Sequence, residues 1–158
     1  METEENQKII QELNLQIVQD IVLDDGLMER YFGRLDGDYL FTYAYVWPVD
    51  MFDSTQKGFD VESVAEVSKR TGDAMLRIDS DVVNRGKELN GRSEGSRDIV
   101  VITSHADTLQ ILQVYAAGLP NVGMFSSYRF ANGEVREMQR TLSSLPAPVP
   151  LQVPQKGT

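Results

Sequence analysis

The stretch Ile99-Val100-Val101-Ile102-Thr103-Ser104-His105-Ala106-Asp107-Thr108-Leu109 decides the fold. Residues 99–104 form a continuous β-branched run ending in serine, with no alternation of apolar and polar positions. That pattern fits a strand covered on both faces, as in a parallel sheet. His105 stands where the strand ends. Asp107 opens a helix through Ala117, with Leu109, Leu112 and Ala116 as its apolar stripe, Gly118 as its stop and Pro120 beyond.

Working outward, Asp60 is a candidate cap for a long helix with Glu62 in its first turn. Val61, Val64, Ser68, Thr71, Met75, Ile78, Val82 and Leu89 form its face at steps of mostly three and four. Gly91 to Ser96 is a loop. Residues 125–130 and 133–138 read as an extended pair about an Asn132-Gly133 turn. On the amino-terminal side, residues 4–13 fit a short helix, residues 17–23 a short strand, and Asp24-Asp25-Gly26 a turn. Gly33 and Gly37 lie four apart amid charged residues, which speaks for a loop or irregular turn. Residues 39–52 are aromatic-rich. Alternation from Tyr39 to Trp47 suits a strand, Pro48 interrupts it, and a helix fits nearly as well.

The order of elements indicates an α/β fold with a largely parallel sheet flanked by helices. Residues 1–140 form one domain, and 141–158 a mobile tail holding Pro146, Pro148, Pro150 and Pro154. One feature is irregular: the chain opens with a helix that no strand precedes.

Composition narrows the chemistry. The chain has 158 residues, 41% of them hydrophobic, enough for a core. It has no cysteine and one histidine, which excludes disulfides, thiolate metal sites, a cysteine nucleophile and a multi-histidine metal centre within one chain. No metal and no cofactor is expected. Net charge is −9, split as −11 over residues 1–66 and +2 over the rest. An acidic surface repels phosphate backbones, so no nucleic-acid partner is expected. The start is not a signal peptide and no run has the roughly 20 apolar residues of a membrane span, so the expected location is cytoplasmic, with no membrane partner.

Two residues draw attention. A histidine at the carboxyl end of a parallel strand, just before a helix, sits where α/β sheets place ligands, and the helix amino terminus favours an anion. The alternative is a histidine that merely bonds a neighbouring loop. Glu29, beside Arg30 in a glycine-flanked segment, is either a proton donor or half of a surface ion pair.

Taken together the segments resemble a known family. Glu29-Arg30-Tyr31-Phe32-Gly33-Arg34-Leu35-Asp36-Gly37 is similar to the Glu-Arg-x-aromatic-Gly-x-Leu-x-Gly segment of the histidine phosphatase (phosphoglycerate mutase-like) superfamily. Val100 to Leu112 resembles that family's second histidine motif. Gly58 to Arg70, with Glu62-Ser63, resembles its Glu-Ser helix start and downstream arginine, and Ser127 to Val135 its closing strand. The resemblance spans about residues 2–138 and carries four motifs in the family's order.

The resemblance implies phosphomonoester hydrolysis through a phosphohistidine. His105 would be the second, phosphate-holding histidine. Glu29 would be the proton donor and later base, with Arg30 and Ala106 as phosphate or substrate contacts. For Arg30 a surface salt bridge is the alternative, and for Arg129 it is the preferred reading. No Arg-His-Gly is present, so the nucleophile of the family is missing from this sequence. Glu2 to Ile10 resembles the helix after the family's second phosphate arginine, so the chain is expected to begin about two family elements late. Residues 99–104 would then have an unpaired edge. Ala106-Asp107 stands where glycolytic mutases carry Gly-Asn, which leans toward a phosphatase.

Three functional expectations follow. The chain is the later part of a histidine phosphatase and inactive alone; or it is a non-catalytic pseudophosphatase that binds a phosphorylated ligand or partner; or a second polypeptide completes it. The expected partners are a phosphorylated small molecule or a phosphoprotein, with a second copy or a strand-donating chain as further partner.

Overall fold

A computed structural model describes residues 21–88, 99–138 and 145–150. Three α-helices occur among them: α1 (Trp47–Phe52), α2 (Val64–Glu88) and α3 (Ala106–Ala116). Short 3-10 turns cover Asp25–Leu27, Gly33–Leu35, Leu40–Tyr45, Gly58–Asp60 and Val122–Ser127.

The expected parallel sheet is overturned: there is no strand among the described residues. Residues 99–104 run without regular structure, and Ile99, Val100 and Val101 are exposed. The physical reason is the non-local nature of β pairing. A helix satisfies its own backbone, whereas a strand needs a neighbour to take its N–H and C=O groups. No neighbour is supplied within the described residues. Ile21 to Leu23, the described end of the expected strand 17–23, is likewise exposed and irregular. Residues 4–13, 17–20 and 91–96 lie outside the described residues.

The expected closing extended pair also differs. Phe125 to Ser127 belong to a 3-10 turn, and 133–138 are irregular. The Asn132-Gly133 turn itself is present, with Gly133 at φ +72°. In residues 39–52 the helical alternative is the one observed, with Pro48 inside the first turn of α1, where its missing N–H costs nothing. Val149 N–H donates to the Ser127 carbonyl at 2.9 Å, tying part of the proline-rich segment to the domain.

Helix α2 begins at Val64, four residues after the expected cap. Asp60 has φ +60° and caps nothing there. Ser63 and Glu66 form a reciprocal capping box instead: Ser63 N–H and Oγ–H donate to Glu66 Oε2 at 3.0 and 2.9 Å, and Glu66 N–H donates to Ser63 Oγ at 3.3 Å. The Lys57 ammonium at Oε1, and after it these Ser63 bonds, hold the Glu66 carboxyl down at about 2. The buried face of α2 is Val64, Val67, Ser68, Thr71 and Ala74, so Val67 and Ala74 join the expected stripe while Met75 and Ile78 are only partly buried.

Helix α3 starts one residue earlier than expected, with His105 at the cap position, and stops at Gly118, which takes the left-handed φ +68°. It is covered on more than one face, because it packs on both α2 and the 122–127 turn: Ile111, Leu112 and Val114 are buried, and so are Thr108, Gln110 and Gln113.

One apolar cluster joins Trp47, Val64, Val67, Ile111, Val114 and Phe125; a second joins Phe32, Leu35, Val46 and Val61. Tyr43 bridges them, stacked on Phe32 at 3.8 Å and edge-on to Trp47 at 5.9 Å. Gly33 is required where the second cluster closes: it has φ +55°, and a Cβ there would lie 2.2 Å from the Phe59 carbonyl oxygen.

Candidate functional site

The loop Gly26 to Glu29 enters from the 3-10 turn that Asp24 caps through a 2.7 Å bond from Gly26 N–H. Its carbonyls are gripped from both sides. Arg70 on α2 donates to the carbonyls of Gly26, Met28 and Glu29. Ser104 Oγ donates to the Leu27 carbonyl, and Thr108 Oγ1 on α3 to that of Met28 at 2.8 Å.

At the loop's end, Glu29 Oε2 lies 3.2 Å from His105 Nδ1. Its other oxygen accepts Arg30 N–H at 3.0 Å. The two side chains named from sequence as proton donor and phosphate holder are therefore in contact. Both are open to solvent, with 45% and 60% of their side-chain surface exposed, so an incoming ligand can reach them. His105 makes no side-chain cap of α3, and Ala106 is the exposed first residue of that helix. An exposed imidazole stands at the positive end of a three-turn helix, a setting that suits an anion.

Arg30 is placed elsewhere. It is 1% exposed. Its Nη1 and Nη2 form a bidentate pair with Asp50 at 2.7 and 3.0 Å, and its Nε donates to the Glu62 carbonyl at 2.8 Å. The Phe32 and Phe125 rings flank the guanidinium at 5.3 and 5.8 Å. The structure thus does not bring Arg30 to the open side of His105, and its ion pair is buried rather than on the surface. Arg129 lies with its guanidinium 4.7 Å from the Trp47 ring centre.

Sequence reasoning missed Asp50 and the burial of Asp107. Asp107 Oδ2 accepts Trp47 Nε1–H at 3.0 Å and lies 3.9 Å from Arg30 Nη1. Burial pushes its carboxyl up to about 6, against the lowering pull of Arg30 and the Trp47 bond. A signal for Asp50 exists in hindsight: it is a lone carboxylate in the apolar run Ala44 to Phe52, and such a group demands a cationic partner.

An open groove of about 730 Å³ adjoins the loop. Asp25, Glu29, Asp60, Glu62 and Glu66 line it against only Lys57 and Arg70, and those two cations are paired with Glu66 and Glu62. The groove repels anions.

A sequence model of the histidine phosphatase superfamily (branch 1) matches residues 6–144. No curated protein and no solved structure matches the chain significantly. The match covers Glu29, the Glu62-Ser63 helix start and His105 in one alignment over most of the sequence, and the chain belongs to the histidine phosphatase superfamily.

Proposed function

We propose that these residues hold a phosphoryl group at His105, in a site of the phosphomonoester hydrolase type, and that Glu29 is its proton-transfer carboxylate. The contact of Glu29 with His105 at the amino terminus of α3 carries this reading. Family membership supports it. A protonated imidazole donates from Nε2 to a phosphoryl oxygen while Nδ1–H stays on Glu29. The helix terminus adds partial positive charge. A phosphoryl oxygen at His105 puts the leaving-group oxygen beside Glu29, the carboxyl that would protonate it only where an attacking group from outside these residues is present.

The attacking group is a different matter. In-line transfer needs a nucleophile opposite the leaving group, and His105 is the sequence's one imidazole. One histidine cannot hold the equatorial oxygens and attack along the axis as well. These 158 residues alone therefore bind a phosphorylated small molecule or phosphoprotein without turning it over. The burial of Arg30 on Asp50 favours binding without turnover further, since it leaves that cation outside the anion site.

The test is incubation of the chain with a radiolabelled aryl phosphate. The expected result is no acid-labile label on the protein and no hydrolysis above that of a His105→Ala variant. Label retained on His105 overturns the assignment of this residue as the holding histidine.

A further inference from the structure

We propose that Arg70 is a positioning residue for Glu29: from α2 it grips the carbonyls of the Glu29 loop and fixes the carboxylate against His105. This rests on the reading of Glu29 and His105 as the working pair.

The geometry is complete on the arginine's side. A guanidinium has five N–H donors. Nε donates to Glu62 Oε1 at 2.7 Å, and Nη2 to Glu62 Oε2 at 3.0 Å and to the Glu29 carbonyl at 3.1 Å. Nη1 donates to the Gly26 and Met28 carbonyls, both at 2.9 Å. All five donors are used, and Glu62 balances the charge, so Arg70 has nothing left for a ligand.

The loop's side is equally informative. With Ser104 on Leu27 and Thr108 on Met28, four consecutive carbonyls, 26 to 29, accept side-chain hydrogen bonds. Glu62 reinforces them at the next residues: its N–H donates to the Tyr31 carbonyl at 2.8 Å, and its own carbonyl accepts the side-chain Nε–H of Arg30. An exposed carboxylate–imidazole pair is ordinarily weak, because two free side chains must be held in one geometry. Here the carboxylate's backbone is held before the pair forms, so less freedom is lost on pairing.

Lysine in place of Arg70 keeps the charge but offers three donors from one point, and cannot fork onto Glu62 and three carbonyls together. The inference therefore separates geometry from charge.

The test uses nitrogen NMR of the full chain at a pH where the ring is neutral. The chain's one histidine gives one set of ring signals, and contact with Glu29 selects the Nδ1–H tautomer, whereas a free imidazole favours Nε2–H. The wild type and Lys69→Ala, which removes the exposed Lys69–Asp73 pair from the same helix, are expected to show mainly Nδ1–H. Glu29→Ala, Arg70→Ala and Arg70→Lys are expected to revert to mainly Nε2–H while Trp47 fluorescence stays native. A folded Arg70→Lys that keeps the Nδ1–H form overturns the proposal. If Arg70→Ala does not fold, Arg70→Lys and the isosteric Thr108→Val decide, the latter expected to lower the Nδ1–H share. A wild type without the Nδ1–H form also overturns it. Phosphate binding, measured separately, then still decides whether His105 is an anion site.

Discussion

His105 Nδ1 meets Glu29 Oε2 at 3.2 Å across a fold in which neither residue belongs to a strand. The pair is assembled by a loop clamped between two helices, and each part of that assembly can be tested.

Glu29 and a bound phosphoryl group compete for the same imidazole charge. Glu29→Gln removes a carboxylate from beside the anion. Inorganic phosphate is therefore expected to bind this variant about three- to tenfold more tightly than the wild type, and His105→Ala at least about tenfold more weakly. Calorimetric titration of both variants checks the opposite signs. Equal weakening in both would mean that Glu29 is itself a ligand.

The buried Arg30–Asp50 pair is a structural element of the fold. Replacing Arg30 by methionine leaves Asp50 and Asp107 without their cation. Stability is expected to fall by about 3–5 kcal/mol, as for a broken buried pair. Urea unfolding read at Trp47 measures it. A loss below about 1 kcal/mol would show that the pair is solvated.

Asp107 gives the fold a pH dependence of defined sign. Its folded value is raised to about 6 from 3.8, so the folded state holds the proton more tightly. That contribution is fully present below the unfolded value and is lost as pH rises through about 6. Asp107→Asn keeps an acceptor for Trp47 and has no proton to lose. Relative to the wild type, the variant is expected to gain about 1–3 kcal/mol between about pH 4 and pH 7. A difference that stays flat over that window contradicts the burial of this carboxyl.

The capping box at the head of α2 is expected to contribute about 1 kcal/mol. Ser63→Ala removes it, and thermal melts of the two proteins give the value. Asp60→Ala, by contrast, is expected to leave α2 intact.

Local signals in the sequence carried further than non-local ones. Gly118 as a helix stop, the Asn132-Gly133 turn and the long helix to which Ser68 and Thr71 belong were legible because each depends on neighbours within a few residues. Glu29 and His105 were brought to one place by the order of four motifs. The β-branched run 99–104 misled, since its composition states what a strand would look like but not whether a neighbour is there to pair with it. Arg30 stayed open between a phosphate contact and an ion pair for a related reason: its partner Asp50 lies in a distant segment, and nothing local distinguishes a phosphate-binding arginine from one buried against a carboxylate.

The most direct test of the central claim is a titration of the full chain with inorganic phosphate, followed at the ring signals of His105. The account expects a saturable shift of those signals that Lys69→Ala leaves unchanged. Ring signals that stay in place while phosphate rises well beyond ordinary cellular levels would contradict it.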